Sequence, residues 1–329
     1  MSGLPVLAIA LGDPGGIGPE VALKTALHPE VRAICRPLLV GDRQAVAAHA
    51  RASVPDAVVR EVASPREAGA NGAVSLLHVE GFAPGTFSFG IADAASGRAA
   101  LGACAAAIRA AQAGEVAAVV AAPMNQTAIA AAGISFDGYP RFVAETCGMP
   151  PEDVFLMLCF DQTRIVHVTL HVSVGQALRL LTRERITRAI LAADGALKRL
   201  GVPAPRIAVG GLNPHAGEGG LFGAEDDEVT APAIADAVAA GARAEGPFGA
   251  DTMFHKRGYD AFMVMLHDQG HIAAKLQAPQ RTAGLAIGAP ILFSSVAHGS
   301  GHDIVGQGKA NASAMIEAAK RLIAPSAVG

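Results

Sequence analysis

The stretch Asp260–Lys275, DAFMVMLHDQGHIAAK, decides the fold. Ala261 to Leu266 is an uninterrupted apolar run, the mark of a strand covered on both faces. His267-Asp268-Gln269-Gly270 follow at its C-terminal end. Such a strand belongs in a sheet between helical layers, and ligands of open α/β sheets bind outside the carboxyl ends of the strands. With a helix starting just after Gly270, His271 and Lys275 stand four residues apart on one helical face. A histidine at a strand end is either a solvated surface group or part of a site, and two other histidines bear on that choice.

Toward the N-terminus, the strand Ile207 to Gly211 runs into Leu212-Asn213-Pro214-His215-Ala216-Gly217-Glu218. Further back, Arg164 to His171 reads as a strand with Ile165, His167, Thr169 and His171 on one face. His171, His215 and His267 therefore each end a separate apolar strand. Three neutral imidazoles at one sheet edge suit zinc, with magnesium, manganese or cobalt as alternatives, and leave open positions for substrate oxygens. His267 with His271 is a rival pair, interrupted by Gly270. His28, His49, His78 and His255 read as surface or packing residues.

The N-terminal third alternates strands with helices. Val6 to Leu11 is a strand, and Gly12-Asp13-Pro14-Gly15-Gly16-Ile17-Gly18-Pro19-Glu20 is a glycine-rich turn into a helix, Val21 to Leu27. The turn fits two roles, a cradle of backbone N–H groups for an anion or a plain tight strand-to-helix connection. A long alanine-rich helix, Ile91 to Gln112, precedes the strand Ala117 to Ala121. Near the other end, a glycine-rich loop precedes the helix Ala310 to Leu322.

Composition narrows the function. With 329 residues, 51% hydrophobic and 17% charged, the chain is long enough for two well-buried domains. A net charge of -3 with interspersed signs gives neither a nucleic-acid footprint nor a polybasic membrane segment. Cys35, Cys104, Cys147 and Cys159 lack metal or redox spacing, and the N-terminus lacks a basic leader, so a cytoplasmic protein is expected. The uncharged run Val116 to Phe136 contains Pro123, Asn125, Gln126 and Gly133, which argues against a membrane span.

GDPGGIGPE, GLNPHAGE, GADTMF, LHDQGHIAAK and HGSGHDIVGQGKAN, in that order from Leu7 to Leu322, resemble the 4-hydroxythreonine-4-phosphate dehydrogenase family of NAD-dependent metal enzymes. The resemblance implies an α/β fold like isocitrate and isopropylmalate dehydrogenases, two domains with helix-flanked sheets and an interdomain cleft. The implied division is 1–130 with 285–329, carrying the cofactor loops, and 131–284, carrying the metal ligands and dimer interface. It implies metal binding by His171, His215 and His267, one of them supplied by the partner of a homodimer. The loop His298-Gly299-Ser300-Gly301-His302-Asp303 is similar to the adenosine-binding loop of isopropylmalate-type enzymes, which implies NAD contacts by Gly12, Asp13, His298, Gly299, Ser300, Asp303, Gly306 and Asn311.

The departures from the family pattern point to another substrate. Gly138-Tyr139-Pro140-Arg141 stands where phosphate-using members carry Gly-His-Thr-Glu, and Gly284 and Phe293 fall near their substrate-binding Asn and Arg. VFLML at Val154 to Leu158, RIVHVTLH at Arg164 to His171, GPFGAD at Gly246 to Asp251 and MLHDQGHI at Met265 to Ile272 resemble the terephthalate cis-dihydrodiol dehydrogenase subgroup. That resemblance implies oxidation and decarboxylation of a cyclohexadiene diol dicarboxylate to protocatechuate. Lys275 and Asp251 are the expected catalytic residues, and Tyr139, Arg141, His271, Lys275 and Phe293 the expected substrate contacts. A phosphorylated hydroxy-acid dehydrogenase is the first alternative, and an acyl-phosphate transferase of similar architecture the more distant one.

Overall fold

The computed structural model describes residues 3–69, 72–278, 282–296 and 298–324. The chain folds as two α/β units, one built from its two ends and one from its middle, dividing after Cys147 and after Ala289. This division differs from the expected 130/131 and 284/285. Residues 139–147 belong with the first unit because the helix Tyr139–Cys147 packs on the long helix Ala94–Gln112. At the second boundary, the strand Ala283–Ile287 pairs with Phe155–Phe160 and so stays with the middle unit.

The first unit opens with β1 (Val6–Ala10), β2 (Arg36–Gly41), β3 (Val59–Val62), β4 (Val74–His78) and β5 (Ala118–Ala121). The middle unit contributes β6 (Phe155–Phe160), β7 (Thr163–His167), β8 (Arg206–Gly210), β9 (Arg243–Phe248), β10 (Ala261–Val264) and β11 (Ala283–Ile287). The chain then returns to the first unit with β12 (Phe293–Val296). In the first unit the order is β3-β4-β2-β1-β5-β12 and the described pairs are parallel. β1 and β5 are apolar and buried throughout, and β2 is so after Arg36, as helix-covered parallel strands must be.

In the middle unit the order is β11-β6-β7-β10-β8-β9. β10 lies parallel to β7 and β8, while β6 runs antiparallel to both β7 and β11. Phe160, Ile165, Ala208, Met253, Val264 and Ala274 form the apolar cluster under this sheet. β10 is the central strand that its apolar run predicts, and the ends of β7, β8 and β10 come to one edge. The helix after β10 spans His267–Gln277 and does not wait for Gly270. Gly270 is inside it because a Cβ there would lie 2.3 Å from His167 Nε2 and 2.8 Å from Ile165 Cγ2. The residue that looks like a helix break is the one that lets helix and strand approach.

Candidate active site

The helix His267–Gln277 carries His267, His271 and Lys275 on one stripe, one turn apart. Gln269 fixes its start: Oε1 accepts from the Met265 and Leu266 N–H groups at 3.0 and 2.9 Å, and Nε2 donates to the Gly211 carbonyl at 3.2 Å. One side chain thereby ties the end of β10 to the end of β8. The His267 and His271 rings stack at 3.8 Å with 8° between their planes. His171 lies 5.5 Å from His267, ring centre to ring centre.

His267 Nδ1 donates to the Asp268 carboxylate at 2.7 Å, which leaves Nε2 with its lone pair. A carboxylate on the far nitrogen is the usual way to orient a metal-ligating histidine. His171 does not end β7; the strand stops at His167, and the chain bends before His171, which is exposed. The strand-end position belongs to His167, 1% exposed. Burial first, and then the neighbouring His271 and His267, push the His167 pKa down to about 3. Burial, then His267, lowers that of His271 to about 4.

His215 stands apart from these rings. It sits five residues beyond β8 in a left-handed turn, with φ of 54° at His215, 53° at Ala216 and 45° at Glu218. Left-handed backbone costs a residue with a Cβ roughly 1–2 kcal/mol, so something must hold the turn. The holder is Asp226, fully buried, whose carboxylate accepts from the Leu212 and Asn213 N–H groups at 2.7 and 2.8 Å. His215 and Asp251 line one pocket of about 600 Å³ together with Asn213, Asp268, Gln269 and Ile272.

The donor set suits a divalent metal in kind, since imidazole nitrogens are common metal ligands and His267 is pre-oriented by Asp268. In number a single chain falls short. Among the described residues no group of three His, Cys, Asp or Glu side chains is gathered to hold an ion. His171 and His267 are neighbours, and His215 joins neither.

The expected substrate residues divide. Lys275 is exposed and makes no ion pair among the described residues. Arg141, by contrast, is engaged by Glu145 on its own helix at 2.7 Å and by Asp137, just before that helix, at 3.5 Å. Tyr139 donates its hydroxyl to the Ala122 carbonyl at 2.8 Å, and burial pushes its pKa well above the usual phenol value. Phe293 is 1% exposed and packs 5.1 Å from the Tyr139 ring. Phe293, expected among the substrate contacts, has a core role, because β12 is buried along its length.

In the first unit, the glycine-rich turn and the loop after β12 meet. Of the two roles open to the turn, the structure takes the tight connection. Asp13 N–H goes to Pro123 O, Gly15 N–H to Asp13 Oδ1, Gly16 N–H to Asp13 O and Ile17 N–H to Ser300 O. These four amides are already spent within the protein. Gly12 (φ 65°) has the Pro123 carbonyl where a Cβ would be, and Asp13 is 1% exposed. Asp13 Oδ2 accepts from His302 Nε2 at 2.6 Å, and Lys24 Nζ reaches the Gly308 and Ala310 carbonyls at 2.9 and 2.8 Å.

The loop is therefore stapled at two points, leaving His298, Gly299, Asp303 and Asn311 exposed along it. Ser300 is nearly buried and Gly306 takes a left-handed turn, φ 71°. The sequence patterns assign no role to Asp226, Gln269, His302 or His167. Two of them left a signal, Gln269 by its place between two candidate histidines and His167 by sharing a strand face with His171.

Two α/β units, one with a histidine-lined edge and one with a stapled glycine-rich loop, define an oxidoreductase of the two-domain α/β dehydrogenase class. The chain belongs to the PdxA family: residues 33–322 match the family described as pyridoxal phosphate biosynthetic protein PdxA. It is similar to the 1,2-dihydroxy-3,5-cyclohexadiene-1,4-dicarboxylate dehydrogenase of Comamonas sp, 42% identical over 94% of each chain. The D-threonate 4-phosphate dehydrogenase of Cupriavidus necator is 36% identical over 97% of this chain and 96% of its own. Among solved structures, a terephthalate 1,2-cis-dihydrodiol dehydrogenase from Burkholderia xenovorans LB400 matches with a TM-score of 0.75 and 41% identity over 98% of each chain. Membership of a dehydrogenase family sets aside the acyl-phosphate transferase reading.

Proposed function

We propose that the chain oxidises a cis-dihydrodiol carboxylate, the terephthalate dihydrodiol, to protocatechuate and CO2, with NAD and a divalent metal. The carrying observation is the stripe His267, His271, Lys275, which sets two imidazoles and a cation with no ion pair among the described residues on one helix face. The 42% identical relative, whose name specifies a diol dicarboxylate, supports the same substrate class. When bound, the metal supplies Lewis acidity at the substrate hydroxyl and NAD supplies the hydride acceptor.

The chain's own residues do the rest. Asp268 holds the Nδ1 proton of His267 and keeps Nε2 free to bind. Lys275 offers its ammonium to a substrate carboxylate or delivers a proton, and Asp251, beside His215, is the supporting carboxylate. Oxidation removes a hydride from the carbinol carbon and a proton from its hydroxyl. Loss of CO2 then leaves its bonding pair on the ring and restores aromaticity. His215 comes from a second copy, or His171 with His267 does, in a homodimer that completes the ligand set.

A phosphorylated hydroxy acid is the second reading, favoured by the D-threonate 4-phosphate relative. The two separate in one assay, NAD reduction with zinc, magnesium, manganese or cobalt against dihydrodiol carboxylates, 4-hydroxythreonine 4-phosphate and threonate 4-phosphate. Turnover of the dihydrodiol with release of CO2 is expected. Preference for a phosphate ester overturns the reading.

A further inference from the structure

Phe89 belongs to none of the sequence motifs, yet the fold places its ring beside one of them. Of the described phenylalanine and tyrosine rings in the first unit it alone is exposed, at 36%. A single apolar side chain at a surface is ordinary. What sets this one apart is how it is held and what lies next to it.

The ring stands nearly perpendicular to two others, the buried His49 ring at 4.7 Å with 89° between planes and Phe87 at 5.6 Å with 81°. Phe87 in turn packs 5.2 Å from the buried Phe82 ring. The backbone after Phe89 is tied to the glycine-rich turn. Gly90 N–H donates to the Gly15 carbonyl at 2.8 Å, and a Cβ on Gly15 would stand 2.5 Å from the Ile91 carbonyl oxygen. A ring fixed in this way has little freedom left to lose when a ligand settles on it.

Its neighbour is the stapled loop. Gly306, φ 71°, lies beside one edge of the ring, where a Cβ would be 3.7 Å from Phe89 Cε2 and 3.8 Å from Cδ2. Glycine leaves that edge without a side chain over it. The same turn is closed by Gln307, whose N–H reaches the Ile304 carbonyl at 3.2 Å and whose Nε2 reaches the Asp303 carbonyl at 2.9 Å. It carries the exposed carboxylate of Asp303. A flat apolar ring and an acceptor-only carboxylate beside one short turn answer the two halves of a nucleoside, a base that stacks and a ribose whose hydroxyls donate.

We propose that Phe89 is the stacking platform for the adenine of NAD. The inference rests on the NAD reading for its ligand. A ring that meets only the adenine sets cofactor affinity and takes no part in hydride transfer.

Calorimetric titration of the full-length protein with ADP-ribose reads that affinity directly, and NADH fluorescence does the same in a chain without tryptophan. Phe89→Leu keeps an apolar side chain against His49 and removes the flat face. It should raise the Kd of both ligands about 10-fold, the scale of one base stacked on an aromatic ring. Phe89→Tyr and Phe89→Trp should bind as the wild type does. An unchanged Kd in Phe89→Leu, or an equal loss in Phe89→Tyr, overturns the proposal. A second measurement needs no leucine variant: with labelled phenylalanine, nuclear Overhauser contacts should join the adenine H2 or H8 of bound ADP-ribose to ring signals that vanish in Phe89→Tyr. Bound ADP-ribose without those contacts overturns it as well. If the wild type binds neither ADP-ribose nor NADH, the NAD reading falls and takes the platform with it. If the wild type binds both and Phe89→Leu binds them equally, the platform alone falls.

Discussion

At the scale of single residues, Gly270 and Lys275 carry the sharpest expectations. Gly270→Ala places a methyl 2.3 Å from a buried ring in a helix that would otherwise welcome alanine. The intrinsic gain of about 1 kcal/mol from glycine to alanine in a helix is overridden by overpacking of about 1–3 kcal/mol. Urea unfolding should show net destabilisation, and a more stable variant would mean that the helix and β7 have room between them for a methyl group. Lys275→Met should lower kcat/KM on a carboxylate substrate by about 30-fold or more, the scale expected when one partner of a charge pair is truncated in a binding site. Arg141→Ala should cost far less, because its charge is already answered by Glu145 and Asp137 on an exposed helix face. Equal effects of the two substitutions would return Arg141 to the substrate.

The histidine set shows what sequence makes legible at this scale. Period-two alternation along Arg164 to His171 puts His167 and His171 on one face and cannot show where the strand stops. His215 is in the expected segment, yet its direction comes from a left-handed turn held by Asp226, eleven residues on. No local pattern announces a turn whose support is that remote. Stacking of His271 on His267 is hidden by Gly270, since a glycine judged by propensity alone reads as a break.

At the scale of elements, the glycine-rich turn is a joint. Asp13, Gly15, Gly16 and Ile17 direct their amides inward, and His49 supports the turn from beneath by donating Nε2–H to the Pro14 carbonyl at 3.0 Å. His49 is fully buried, and burial holds its pKa below the ordinary histidine value of 6.5. In the unfolded chain His49 takes up a proton near 6.5, while in the folded chain it resists protonation to lower pH. Its contribution to stability is therefore intact above 6.5 and declines as pH falls below that value. Denaturant midpoints measured from pH 7 downward should fall less steeply for His49→Met than for the wild type. Parallel curves would place the acid sensitivity elsewhere. The sequence makes the turn's position plain and leaves its purpose open, because glycines suit both a phosphate cradle and a crowded crossing.

At the scale of the whole molecule, the incomplete histidine set meets an apolar surface. Leu276 is 81% exposed, Leu221 72% and Ile272 56%, and Leu276 and Ile272 line the pocket that holds His215. Side chains of this size at the rim of a candidate site fit burial against a second copy. Sedimentation should give a dimer. Mixing inactive His267→Ala with inactive His215→Ala protein should restore part of the activity through hybrid dimers. No recovery after verified subunit exchange would place all three ligands in one chain.

The order in which the two units become available to fold differs. The middle unit is one unbroken segment, whereas the first needs β12, which pairs with β5 across more than half the chain. During synthesis the segment that ends at Ala289 is complete while β5 still lacks a neighbour on one side. That open edge stays exposed until the last strand leaves the ribosome, and it is the place where a nascent chain of this protein is most exposed to wrong pairing.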